Sequence, residues 1–189
     1  MAGTKTVFFS VMPSPAGPLL VAATETGLRC VQFHRGQLPK AASDELWVES
    51  REQVQAYEQQ INSYFRGELR EFTCKLDLAG TSFQKECWQA LLRIPYGETR
   101  TYADIAREIG RPRAFRAVGQ ANHDNPIAII VPCHRVLGAN GTLTGYGGGL
   151  STKEKLLRLE GARFRLARLP ERAAKDKKRI PEQENISFP

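Results

Sequence analysis

The hydrophobic pattern of this chain changes near Ala79, and that change limits the fold more than any other feature. Before it, TVFFSVM, PLLVAAT and LRCVQFH are rich in β-branched, aromatic and aliphatic residues and are separated by SPAG and ETG. Such runs, bounded by turn formers, predict a small antiparallel sheet. SREQVQAYEQQINSYFRG follows, with Val54, Tyr57, Ile61, Tyr64 and Phe65 at helical spacing and Gly67 as a stop. EFTCKLDL reads as a fourth short strand. Beyond Ala79 the sequence turns to short helices with readable starts: Thr81 leads Gln84, Thr101 leads Asp104 and Ser151 leads Glu154, each the pattern of a capping box. The expectation is an α+β protein, with a sheet-and-helix domain over 1–78 and a helical domain over 79–169. The polar, aperiodic stretch 170–189 is expected to be a disordered tail.

At 189 residues the chain can bury one large core or two small ones. No run approaches the roughly 18 apolar residues of a membrane span. The start, MAGTKTVFFSVMPSP, has one Lys and a short apolar run broken by proline, with no small-residue cleavage pattern, so the expected location is the cytoplasm, nucleoid-associated in a bacterium. Cys30, Cys74, Cys87 and Cys133 are widely spaced and carry no Cys-x-x-Cys, which argues against a disulfide framework. Cys30 and His34 could form one side of a metal site, but a strand suits that stretch better and neither His123 nor His134 completes a ligand spacing. No metal and no cofactor are expected.

The net charge of +7 points to an acidic partner, although residues 163–189 hold eight Lys or Arg against four Asp or Glu, or +4. More telling is the stretch 110–123, which contains Arg111, Arg113 and Arg116 and no acid. There TYADIAREIGRPRAFRAVGQA reads as a helix, a break at 110–112 and a second helix carrying Arg113 and Arg116. That is the outline of a helix-turn-helix, and equally of two packed helices with surface arginines. VPCHRV sets a cysteine beside a histidine in an apolar run. On those residues alone a buried structural thiol and a reactive one are both open.

IPYGETRTYADIA, RAVGQA, NP, VPCHRV, TGYGGG and LRLEG occur in this order, and together the chain resembles the O6-alkylguanine-DNA alkyltransferase family over most of 81–161. The first eighty residues agree in outline only. The resemblance implies a ribonuclease-H-like N-terminal domain and a C-terminal domain that holds a DNA-binding helix-turn-helix. It implies single-turnover transfer of an alkyl group from O6-alkylguanine in double-stranded DNA to Cys133, with O4-alkylthymine as a second lesion, by a monomer without metal or cofactor. Carried over by position, Cys133 resembles the acceptor, His134 its base, Glu160 the carboxylate that orients His134 and Asn125 the hinge bracing the cysteine segment. Tyr102 is similar to the tyrosine that supports base extrusion and donates to the departing purine, and Arg116 to the arginine that fills the vacated place. Thr101, Arg113, Ala114, Phe115, Gly119 and Arg135 would also meet DNA. Asn122, Val136, Tyr146, Gly147 and Gly148 would line the base pocket, with backbone groups near Cys133 and Val136 reading the guanine edge. The chain departs from the pattern at Phe115, where a small residue is frequent and a groove wedge or a core residue are the alternatives. Gly147 stands where some relatives have serine, and Thr24 and Arg29 where some carry metal ligands.

The chemistry agrees with that reading. A carbon on a base oxygen yields to a soft nucleophile, which at neutral pH means a thiolate. Adjacent residues of an extended segment face opposite ways, so Cys133 and His134 are expected to communicate through water. A stacked base must be flipped out to reach a buried thiol. Two rivals are separable. Non-catalytic relatives that only bind the lesion carry tryptophan where this chain has Cys133, and a cysteine hydrolase needs an oxyanion hole that no motif here supplies.

Overall fold

A computed structural model describes residues 4–166; the tail expected at 170–189 lies outside the described residues. Strands β1 (Lys5–Met12), β2 (Leu19–Thr24), β3 (Gly27–Phe33) and β4 (Glu45–Glu49) form one sheet in the order β3-β2-β1-β4. The first three are the antiparallel set that the sequence predicts, but β4 runs parallel to β1, with Val7 opposite Trp47, so the sheet is mixed. The sequence reading missed β4 because its ELWVE run is only five residues long and its apolar face, Leu46 and Val48, points to solvent rather than to the core. The predicted strand EFTCKLDL is instead an irregular chain. It touches the sheet at one bridge, Leu28 to Leu76, where the Leu28 amide donates to Lys75 O and Leu28 O accepts from the Asp77 amide.

Helix α1 (Arg51–Phe65) lays Val54, Ile61 and Tyr64 into the core, as its period requires. Helix α2 (Ser82–Leu92) and helix α3 (Tyr102–Glu108) begin at capping boxes on Thr81 and Thr101. The third predicted box is absent. Helix α5 (Leu150–Leu159) starts after Gly149 with no side-chain cap, which puts Ser151 inside the first turn, and the Glu154 carboxylate bonds Arg158 instead. Helix α4 (Phe115–His123) completes the helix-turn-helix with α3. Arg113 belongs to the turn between these helices rather than to α4.

Two contacts fix where the cysteine segment lies. Trp88, 1% exposed, donates its indole N–H to Ala121 O at 2.8 Å and so locks α2 against α4. On the other side, Val31 of β3 exchanges backbone bonds with Pro126 and Ala128, seating the stretch that follows α4 against the sheet. A two-stranded parallel ladder joins β5 (Arg100–Thr101) to β6 (Val136–Leu137). It places the start of α3 beside the cysteine segment. Among the described residues, no helix is long and apolar enough to cross a membrane.

The Thr101 hydroxyl holds the first turn of α3 through the Asp104 amide. Thr101→Ala is expected to lower stability by about 1 kcal/mol, read from urea denaturation. An unchanged midpoint would show that the cap does not fix α3.

Candidate active site

Residues 125–131 between α4 and the cysteine form a buried turn that turns back on itself. Asn125 holds it from inside: Oδ1 accepts from the Ile127 amide at 3.0 Å, and Nδ2 donates to Val131 O at 2.8 Å. The tightness of this turn is visible at Ile129, a β-branched residue at φ +74°. Such a conformation costs on the order of 1–3 kcal/mol and persists only where its surroundings impose it. Asn125 Nδ2 also lies 3.1 Å from Cys133 Sγ, so one amide braces the turn and touches the thiol.

Cys133–Arg135 form one turn of 3-10 helix rather than the extended segment expected. Its three residues per turn still send successive side chains about 120° apart. Accordingly Cys133 faces a cavity, whereas His134 and Arg135 turn inward to Glu160 at the end of α5. His134 Nε2 lies 2.8 Å from Glu160 Oε1. Arg135 clamps the same carboxylate with two bonds, Nε to Oε2 at 2.9 Å and Nη2 to Oε1 at 3.0 Å, and gives Nη1 to Ile94 O. The expected role of Arg135 in DNA contact is therefore corrected: it is 6% exposed and its guanidinium is engaged inside the protein. Tyr64 of α1 donates its hydroxyl to Glu160 Oε1 at 2.8 Å. Gly97 crosses so close to Glu160 that a Cβ there would sit 2.8 Å from its backbone oxygen, which explains glycine in the PYGE turn.

These contacts decide the charge states. Burial alone would raise the Glu160 carboxyl, but His134 and Arg135 outweigh it and hold the group at about 2. A carboxylate bonded to Nε2 fixes the proton on that nitrogen and leaves Nδ1 as the basic atom. Among the described residues Nδ1 is buried without a protein partner. Burial pulls the His134 imidazole down, against the pull of Glu160, so it rests neutral. Burial pushes the Cys133 thiol up, opposed by the Asn125 amide and the Lys153 ammonium. Lys153, 0% exposed on the inner face of α5, is lowered by burial to about 8 and donates to Val136 O at 2.5 Å and Thr144 O at 3.1 Å.

The cavity in front of Cys133 measures about 240 Å³. Asn122, Tyr146, Gly147 and Gly148, all expected in a base pocket, line it together with Asn125. Val136 does not: it is fully buried, its amide donates to Cys133 O and its carbonyl accepts from Lys153, which leaves only a second lone pair for any base. The Tyr146 hydroxyl and both polar atoms of the Asn122 amide are buried without protein partners among the described residues. Buried polar groups of this kind are costly unless a ligand or solvent completes them. The sheet supplies the outer wall. Phe33 packs edge-on to Tyr146 and so close to Gly148 that a Cβ there would meet its ring at 2.6 Å, and Arg35 donates to Gly147 O at 2.7 Å.

The other residues expected to face DNA lie at the start of α3, on α4 and in the turn between them. Arg113, Phe115 and Arg116 are exposed, with the Arg116 guanidinium 5.9 Å from the Phe115 ring centre. Phe115, 47% exposed, is not a core residue. Ala114 and Gly119 are half-buried, and Tyr102 packs across Gly119 while its hydroxyl pairs with Thr144 at 3.0 Å. Thr101, expected at DNA, engages its hydroxyl in the cap of α3. Sequence reading missed Phe33, Arg35, Tyr64 and Lys153. Only Lys153 left a trace: it falls on the same helical face as Leu156, Leu157 and Glu160, a polar residue where a core residue belongs.

A sequence model described as the DNA-binding domain of 6-O-methylguanine DNA methyltransferase matches residues 82–162, and one described as its ribonuclease-like domain matches 7–78. The methylated-DNA–protein-cysteine methyltransferase of Methanosarcina acetivorans is 54% identical over 82% of this chain and 99% of its own. A crystal structure of Mycobacterium tuberculosis O6-methylguanine methyltransferase superposes with a TM-score of 0.75 at 49% identity, covering 82% of this chain and 93% of that one. Mycobacterium tuberculosis OGT in complex with DNA gives 0.74 at 49% identity, over 82% and 92%.

Because His134 is buried neutral, the unfolded chain binds more protons than the folded one as pH falls below the ordinary histidine value of 6.5, and stability drops there first. Glu160, held at about 2 against an ordinary 4.5, adds a second loss as pH falls through that interval. Thermal melting from pH 8 to 3 should show both, and His134→Gln should remove the first. Identical profiles for the two proteins between pH 6.5 and 5 would contradict a buried neutral His134.

Proposed function

Because the chain belongs to the 6-O-methylguanine DNA methyltransferase family, we propose that it repairs DNA by direct reversal, moving an alkyl group from O6 of guanine to its own Cys133. The observation that carries the assignment to this thiol is its place. Cys133 Sγ borders the cavity whose walls present the Tyr146 hydroxyl and Asn122 amide, both without protein partners among the described residues, and it is touched by Asn125. Both neutral groups can donate and accept, which suits a purine edge.

Transfer forms a C–S bond and breaks the C–O6 bond. The thiol proton passes by way of water to His134 Nδ1, and Glu160 supports the imidazolium that results. Electrons of the broken bond settle on the purine, which takes a proton from the Tyr102 hydroxyl; Tyr102 regains one from solvent, and His134 releases one. Asn125 and Lys153 favour the thiolate as it develops. No metal or nucleotide has a task in this sequence, because the sulfur is a strong nucleophile and the purine is an adequate leaving group once protonated. The product is a thioether without an electrophilic carbonyl, so water does not regenerate the thiol and each molecule reacts once.

DNA is the partner. We assign the approach to the face that carries α4. Ala114 and Gly119 offer little bulk there, Phe115 projects as an apolar wedge, and Arg116 takes the place of the extruded guanine. The protein acts as a monomer in the cytoplasm, where its substrate is O6-alkylguanine in duplex DNA.

With duplex DNA labelled in the O6-methyl group, Cys133→Ser should take up no label. Arg116→Ala should react with the free modified base at nearly the wild-type rate but at least tenfold more slowly with duplex, since unstacking costs a few kcal/mol and each ~1.4 kcal/mol is a factor of ten. Label retained by Cys133→Ser would refute the acceptor, and equal losses on both substrates would refute the extrusion role.

A further inference from the structure

We propose that Tyr64 is a positioning residue for the transfer: its phenol, carried on the sheet-packed helix α1, fixes the Glu160 oxygen that holds His134 and thereby limits how strongly Glu160 draws a proton onto the imidazole. This rests on the reading of Cys133 as acceptor and His134 as its base. Three donors converge on Glu160 Oε1: His134 Nε2 at 2.8 Å, the Tyr64 hydroxyl at 2.8 Å and Arg135 Nη2 at 3.0 Å. A carboxylate oxygen offers about two lone-pair sites, so these donors compete for density on one atom. The other oxygen is held by Arg135 Nε at 2.9 Å and faced by the Gly97 amide at 3.4 Å.

Tyr64 cannot withdraw from this contact. It is 0% exposed, and its ring is fixed edge-on by Phe65 and Tyr96 and at a tilt by Phe72. The phenol is therefore a rigid donor that arrives from the N-terminal half of the chain, 96 residues away in sequence. The other titratable groups facing the trio are Arg135, Lys153, Tyr96, Tyr146 and Cys133. The two cations oppose protonation of His134, and Arg135 neutralises the carboxylate it clamps. Tyr64 bonds the carboxylate as a neutral donor, so its removal alters the hydrogen bonding of Glu160 without changing the net charge.

A weaker set of competitors leaves Oε1 better able to stabilise the imidazolium, and a protonated His134 cannot accept the thiol proton. Removing the phenol should then shift the acid limb of the transfer rate to higher pH, whereas a purely structural tyrosine would change the rate at all pH values alike. The experiment is the single-turnover rate of methyl transfer from duplex DNA as a function of pH, for the wild type, for Tyr64→Phe and for the full chain with 3,5-difluorotyrosine at position 64. The limb should rise by about half to one pH unit in Tyr64→Phe and fall in the difluorotyrosine protein, whose phenol is the stronger donor, with DNA affinity unchanged in both. A folded Tyr64→Phe with an unmoved limb overturns the proposal whatever its rate. If that variant does not fold, an unmoved limb in the difluorotyrosine protein overturns it instead. A wild type that transfers nothing to Cys133 would sink the functional reading, which is a separate failure.

Discussion

The carboxylate of Glu160 is the interaction on which the rest of this structure depends. A buried anion is expensive unless every lone pair is matched, and removing one partner of such a cluster commonly costs several kcal/mol. Here the match is assembled from four separate parts of the chain: Tyr64 of α1, the PYGE turn at Gly97, the His134–Arg135 turn and the end of α5 itself. A carboxylate at a helix C-terminus also opposes the helix dipole, so Glu160 stands where it does only because cationic and neutral donors are brought to it. The sheet half and the helical half are thereby held to a common point, and that point orients the histidine.

The second constraint is local. Asn125 replaces a stretch of regular structure with its own side chain, satisfying the Ile127 amide and the Val131 carbonyl of a turn strained at Ile129. The same amide reaches Cys133 Sγ. The position and environment of the thiol are thus set from both sides, by the asparagine turn before it and by the carboxylate cluster after it. Burial keeps the resting sulfur protonated; in the proposed transfer, this spares the thiol from solvent chemistry until a substrate fills the cavity.

Much of this was legible in the sequence, and what was not has physical causes. The capping boxes at Thr81 and Thr101 were readable because their signal is local, and the constellation from Tyr102 to Glu160 was readable as an ordered set of motifs. The box at Ser151 misled because Gly149 at φ +88° caps the helix two residues before the position the box requires. Arg135 was expected at DNA as a position carried over with the resemblance, and only the fold turns its guanidinium inward to Glu160 and Ile94 O. Tyr64, Phe33 and Arg35 contribute to the site from the half of the chain where nothing but sheet and helix periodicity was visible. Their roles arise from contacts 96 to 115 residues apart in sequence, which no local pattern encodes. β4 was missed for a related reason: an edge strand is defined by the partner it pairs with, and its own side chains are mostly exposed.

The central claim is that Cys133 is an acceptor that reacts once and is not restored. The direct test is intact-protein and peptide mass spectrometry after incubation with a large excess of duplex DNA containing O6-methylguanine, with the amount of repaired base counted in parallel. The account predicts one methyl group per molecule, located on Cys133, and one repaired base per protein at completion. More repaired bases than protein molecules, or a methyl group on Cys30, Cys74 or Cys87, would contradict it.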